Sequence, residues 1–148
     1  MMISTKGRYA LRVMLELAAH EPEKYVPLKE IAKAQDISEK YLEAIIKILV
    51  TDDMVIGLRG KGGGYRLSRK PSEYTVSSIL RLTEGTLAPV ACLKGKSTDC
   101  ARADQCLTLP MWRNLDRLID NYLGSITLQD LITRSVGNPE DDCCGLTL

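Results

Sequence analysis

Residues 60 to 64 read Gly-Lys-Gly-Gly-Gly, four glycines in five positions, and few folds can use such a run. Glycine accepts positive φ angles and lets the backbone approach whatever it touches, but it weakens a helix or strand interior. The flanks favour strands: Met54 to Arg59 on one side and the alternating Tyr65 to Ser68 on the other. The run therefore reads as the tip of a β-hairpin. A phosphate-cradling nucleotide loop is the rival, but that loop needs Lys-Ser or Lys-Thr and a helix opening directly after it, and here a strand follows. Arg59, Lys61, Arg66 and Arg69 surround the tip with positive charge.

What precedes the hairpin gives it a role. Leu11, Met14, Leu15 and Ala18 recur at helical spacing, which predicts a core helix from Thr5 to about His20. After a break at Glu21-Pro22-Glu23, Pro27 suits the first turn of a second helix whose Leu28, Ile31 and Ala32 share a stripe. Asp36-Ile37 makes a short turn, and Ser38 caps a third helix with Leu42, Ile45, Ile46 and Leu49 on its buried face. Two short helices joined so tightly read as helix-turn-helix. A basic, glycine-tipped hairpin directly after it is a wing, placed to touch DNA phosphates or the minor groove beside a recognition helix in the major groove.

On that reading Ser38, Lys40, Tyr41 and Glu43 are the candidate groove residues. Lys40 and Tyr41 suit phosphates, while Glu43 can accept from a cytosine amino group and repels phosphate. Arg59 and Lys61 anchor the wing, with Gly62 and Gly63 bringing its backbone close. Lys6 and Arg8 lie in the first turn of the first helix, where backbone N–H groups attract phosphate; a solvated basic end accounts for them equally well.

Downstream, Lys70-Pro71-Ser72 ends the wing and Thr75 caps a helix through Arg81. Leu109 to Leu123 then forms a longer helix, with Pro110 in its first turn and Gly124 closing it, and Thr127 with Asp130 makes a capping box for a short last helix. Met111, Trp112, Leu115, Leu118, Ile119, Tyr122 and Leu123 give the long helix a wide apolar stripe. Folding back on its own domain is one use for that stripe. A twofold helix pair is preferred, because a winged helix-turn-helix reads two half-sites, and Trp112, Leu115, Leu118, Ile119 and Tyr122 are its expected contacts. The expected fold class is mainly α with a small β wing: a winged helix-turn-helix DNA-binding domain over 1–87, a cysteine-bearing sensor loop over 88–107, a long C-terminal dimerisation helix and the short helix over 108–133, and a mobile tail over 134–148.

The sensor loop carries Cys92, Cys100 and Cys106 in a polar run without helical or strand period. So little apolar surface cannot order a segment by itself, so a disulfide or a thiolate-ligated metal centre must hold it. No apolar run reaches the length of a membrane span, and the opening residues lack the apolar core of a signal peptide, which predicts a cytoplasmic protein with no membrane partner. There thiols stay reduced, and five cysteines are an odd count for a disulfide framework, so metal binding or reversible redox chemistry gains weight. Charge is divided: residues 1–70 hold 13 Lys and Arg against 9 Asp and Glu, and the rest 7 against 10, so the front half faces the negative partner.

Several stretches together resemble the IscR, NsrR and CymR family of bacterial transcription regulators. They are Ser4-Thr5-Lys6-Gly7-Arg8-Tyr9-Ala10, Ser38 to Glu43, Arg59-Gly60-Lys61-Gly62-Gly63-Gly64-Tyr65, the three loop cysteines, and Cys106-Leu107-Thr108 ahead of Trp112-Arg113. The resemblance runs from the N-terminus to about Leu131 and is nearest the cysteine-containing IscR-like branch. It implies a homodimeric regulator, in first place a repressor, that binds a double-stranded DNA operator. It also implies that Cys92, Cys100 and Cys106 hold an iron-sulfur cluster, a 2Fe-2S form ahead of a 4Fe-4S form, whose state switches DNA affinity.

Three departures stand out. The histidine that IscR-like members carry three residues after the third cysteine is Leu109 here. The acidic residue that NsrR-like members use near the N-terminus corresponds to Arg8, and the first gap between cysteines is seven residues instead of five. The fourth ligand is thus open among Asp99, Asp104, Thr108, Cys143 and Cys144. The alternative is a regulator of the same fold without a cluster, controlled as in the CymR-like branch by a regulatory partner protein, or by thiol oxidation or zinc. An enzyme is not expected: no histidine stands beside a nucleophile.

Overall fold

The computed structural model describes residues 2–95 and 100–136. Asp99, Cys143, Cys144 and the tail from Gly137 onward, including the expectation that it is mobile, lie outside the described residues.

Helix α1 spans Thr5–Ala18, opened by Ser4, whose Oγ accepts the Gly7 N–H at 3.0 Å. It stops short of His20 because the end is closed locally: the His20 N–H donates to the Leu17 carbonyl, and the His20 ring Nδ1 lies 2.8 Å from the Glu16 carbonyl oxygen. Helix α2 is Leu28–Gln35, with Pro27 at its N-cap and not inside the first turn. Asp36 then takes the left-handed conformation (φ 51°), and the Ile37 N–H returns to the Ala32 carbonyl at 3.1 Å. This reversal lets α3, Glu39–Thr51, start at once, with Ser38 Oγ accepting from the Tyr41 N–H.

Strands β1, Val55–Leu58, and β2, Gly64–Leu67, form an antiparallel hairpin in which Val55 faces Leu67 and Leu58 faces Gly64. They are shorter than the alternation predicts, because Arg59 and Ser68 pass into the turns at either end. Val26 bonds to Tyr65 in both directions (2.8 and 2.9 Å), tying the α1–α2 connection to β2 as a one-residue third strand. Gly64 is required there: a Cβ would lie 2.3 Å from the Val26 carbonyl oxygen, and its φ is +153°.

Helix α4, Val76–Glu84, begins at the predicted Thr75 cap but runs three residues past Arg81 before Gly85, with a φ of 76°, ends it. Helix α5, Leu109–Ser125, passes straight through Gly124. The predicted glycine stop fails because a single glycine costs an exposed helix only about 1 kcal/mol, and the chain turns instead at extended Ile126. Helix α6, Leu128–Ile132, has the predicted capping box between Thr127 and Asp130.

The core lies where α1, α2, α3 and α4 meet the base of the hairpin. Met14, Ile31, Leu42, Ile45, Leu49 and Ile79 are fully buried, and each aliphatic side chain removed from water this way contributes roughly 1.5–3 kcal/mol. Leu128 of α6 is buried in the same core, so the chain returns to the domain after α5. A second cluster of Val76, Leu80, Leu87 and Ile126 packs against Ile119 and Leu123 on one side of α5. Tyr74 joins the hairpin to α4. Its ring is fully buried, and its hydroxyl donates to the Met54 carbonyl (2.8 Å) while accepting the Arg69 N–H (2.9 Å). The architecture is a mainly helical winged helix-turn-helix followed by a long C-terminal helix.

Candidate nucleic-acid interface and sensor loop

Ser38, Lys40 and Glu43 are exposed at the start of α3. Tyr41 is half-buried and edge-on to Tyr9, with ring centres 5.8 Å apart. It is therefore as much a packing residue as a surface one. Behind it stands a network that periodicity alone does not assemble. The Arg12 guanidinium lies 4.7 Å from the centre of the Tyr9 ring, its Nε donates to Gln35 Oε1 and its Nη2 to the Gln35 carbonyl, both at 2.9 Å, and Gln35 Nε2 donates to Glu16. These residues fix the end of α2, and with it the entry angle of α3. The one sequence signal for them is Arg12 and Glu16 four apart on the outer side of α1.

Arg59 and Lys61 are exposed at the wing tip, where the Gly63 N–H closes a turn onto the Gly60 carbonyl at 3.0 Å; Gly62 sits in that turn. A groove of about 440 Å³ runs between α3 and the wing, lined by Glu43, Lys47, Thr51, Arg59 and Tyr65 among others. The fold thus brings Glu43 and Arg59, sixteen residues apart in sequence, to one groove.

The start of α1 differs from its phosphate-binding reading. Glu84 Oε1 accepts from the Ser4 N–H (3.1 Å) and the Ser4 hydroxyl (2.5 Å), so a carboxylate of the chain itself meets these groups. Gly7 makes room for it, since a Cβ there would lie 2.3 Å from that oxygen. Arg8 is exposed and bonds Thr5 Oγ1, and Lys6 is half-buried.

In the loop between α4 and α5, Cys92 sits half-buried in a 3₁₀ turn (Ala91–Leu93). Cys100 is exposed, and Cys106 is half-buried at the end of a second such turn (Ala103–Gln105). All three are free thiols. The hydroxyl and then the amide N–H of Thr108, with a smaller share from the Leu109 amide, hold the Cys106 thiol below its ordinary value. That favours the thiolate, the form that ligates metals. Leu109 is buried and without a donor atom. The donor types suit an iron-sulfur centre, but among the described residues no three cysteine, histidine or carboxylate side chains are gathered closely enough to hold a metal in this conformation.

Helix α5 has two apolar faces. Ile119 and Leu123 face their own domain, whereas Met111, Leu115, Leu118 and Tyr122 form an outer stripe, with Leu118 65% and Tyr122 61% exposed. Trp112 is half-buried at the margin. An ion pair between Arg81 and Asp120 ties α4 to α5. Among the described residues no helix is long and apolar enough to cross a membrane.

Residues 3–134 match the sequence profile of the Rrf2 family, described as "Iron-dependent Transcriptional regulator". The chain is 38% identical over 132 residues to the HTH-type transcriptional regulator IscR of Serratia proteamaculans, covering 89% of this chain and 79% of that protein. Among solved structures it resembles CymR, the global cysteine regulator of B. subtilis, with a TM-score of 0.74, 35% identity, and 90% and 98% of the two chains covered. It resembles T. potens IscR with a TM-score of 0.71, 34% identity, and 91% and 88% covered.

Proposed function

The chain belongs to the Rrf2 family of transcriptional regulators, DNA-binding proteins and not enzymes, and from that premise we propose that it is a homodimeric repressor whose hold on a double-stranded operator is switched by an iron-sulfur cluster. Each copy places α3 in the major groove, where Glu43 reads a base edge and Lys40 steadies the backbone, while Arg59 and Lys61 bind beside it. The outer stripe of α5 pairs with the same stripe of a second copy. Cys92, Cys100 and Cys106 are the protein ligands. The cluster, when bound, supplies iron-thiolate bonds whose strength depends on oxidation state.

The observation that carries the reading is the position of three free thiols on the segment joining α4 to α5. Gathering them shortens that segment and draws on both its ends. One end is Glu84, bonded to the cap of α1; the other is α5, held to α4 by the Arg81–Asp120 pair. Loop order is thereby linked to the helix that packs behind α3 and to the dimer face at once.

A second reading keeps the fold and the DNA and replaces the cluster by thiol oxidation, zinc or a regulatory partner protein. It is favoured by buried Leu109 in place of a histidine and by the likeness to the B. subtilis cysteine regulator over nearly its whole length. Absorption, iron and sulfide measured on protein purified without oxygen separate the two. Visible sulfur-to-iron bands with matched iron and sulfide, lost in the Cys92→Ala, Cys100→Ala, Cys106→Ala variant, are expected. A colourless protein in which no cluster can be rebuilt overturns the cluster and leaves the second reading.

A further inference from the structure

Away from the DNA face, a cavity of about 420 Å³ lies between the end of α1, the turn that follows it and the outer half of β2. That is within the size range of small-molecule sites, roughly 300–1,000 Å³. Leu17, Ala18 and Leu67 give it an apolar floor. Arg66 of β2 stands on one wall, its guanidinium 5.2 Å from the centre of the Tyr25 ring and within the field of Glu23. Arg66 Nη1 reaches the Leu67 carbonyl at a long 3.4 Å, but Nε is buried and has no acceptor among the described residues. A buried guanidinium N–H without an acceptor is costly and rare, and a carboxylate is the acceptor that suits it best.

The remaining walls set the opposite requirement. The carbonyl end of α1 is here, a partly negative site that disfavours an anion and favours a cation, and Glu21 lies on the same side. Arg69, on the β2 side, is engaged over the Tyr74 ring at 4.8 Å, and Glu73 is committed to the Lys70 N–H. A cation with an unmet N–H, a negative end opposite it and an apolar floor between them match a zwitterion with an apolar body.

We propose that this cavity binds a small apolar α-amino acid, its carboxylate on Arg66 and its ammonium toward Glu21 and the end of α1. The ligand would touch both the α1–α2 turn and β2, which the Val26–Tyr65 bridge already joins. The site needs only the fold, so its failure leaves the DNA-binding reading untouched.

The test is a ¹H–¹⁵N NMR titration of the full chain with L-leucine and its two truncated forms, 4-methylpentanoate without the ammonium and 3-methylbutylamine without the carboxylate. Saturable shifts are expected with leucine at the amides of Glu21 and Glu23 on one wall and Leu67 and Ser68 on the other. Each truncated form should bind at least about tenfold more weakly, the scale of one charge-assisted hydrogen bond. Arg66→Gln should bring leucine to the level of the amine, and Arg66→Lys, which keeps the charge but loses the Nε–H, should also weaken it. Absence of saturable shifts with leucine overturns the proposal. So does a truncated form binding as tightly as leucine, or undiminished leucine binding in an Arg66 variant whose spectrum stays dispersed. The comparison of three ligands uses the unaltered chain, so it stands even if a variant fails to fold.

Discussion

Replacing Tyr74 by Phe keeps the buried ring, its apolar contacts and the Arg69 guanidinium above it, and removes one oxygen. The groups around that oxygen do not lose equally. The Met54 carbonyl still accepts from the Ser68 N–H at 3.2 Å, and the Ser68 hydroxyl still donates to the Asp53 carbonyl at 2.5 Å. The Arg69 N–H loses its partner, at 2.9 Å, beside a side chain with no exposed surface. Leaving one buried donor unmet costs about 1–3 kcal/mol. At about 2–4 °C per kcal/mol for a chain of this size, a 2 kcal/mol loss lowers the melting temperature by about 4–8 °C. Thermal unfolding at fixed protein concentration measures the total, because a dimer's stability depends on concentration. Amide hydrogen exchange locates it: Arg69 should exchange faster than in the parent while the core amides of α3 change only by the global loss. A melting temperature within about 1 °C of the parent, or an Arg69 amide protected as before, would refute the assignment of Tyr74 as the tie between hairpin and α4.

Other outcomes follow from the same geometry. Hydrogen bonds from the Thr127 N–H, then from its hydroxyl, hold the Asp130 carboxyl below the usual carboxylate range. Its contribution is therefore complete above an unfolded value of about 3.9 and is lost as the pH falls through the lower folded value. Asp130→Asn should make the acid limb of a stability-pH curve, followed by urea midpoints, shallower below about pH 4; an unchanged limb would count against the capping box. Leu118 is mostly exposed, so Leu118→Asp should leave each protomer folded and raise the dimer dissociation constant at least about tenfold in sedimentation. A dimer as tight as the parent would remove the α5 stripe from the interface. Lys61→Ala should weaken binding to all DNA sequences alike and lower the salt slope by about 0.9 for each phosphate that is no longer neutralised. An unchanged slope in a salt-dependent binding assay would take Lys61 off the phosphate.

The elements most legible in the sequence are those with local causes. Ser38 and Thr75 cap helices because a side-chain oxygen next to free N–H groups suffices, and the glycine run turns the hairpin wherever the rest of the chain goes. Ends decided by distant partners were not legible. Helix α4 runs on to Glu84, which meets Ser4 eighty residues away, and no local pattern announces that. Helix α5 ignores Gly124 because its length is set by where Ile126 must turn to bury itself and Leu128. The same division holds at the candidate site. The exposed residues of α3 and the wing could be read from periodicity and charge, but the Arg12–Gln35 contact and the shared groove of Glu43 and Arg59 depend on how separate helices pack.

The bond between Ser4 and Glu84 closes the first eighty-odd residues into a ring whose two ends stand side by side. A segment that enters and leaves at one point can be inserted, duplicated or given new flanks with little strain on its interior, as with domains whose termini adjoin. For this chain, whatever follows Glu84 is hung from a single spot. A reader of operator DNA built this way can be refitted with a different loop or a different long helix while its DNA-facing half keeps its shape.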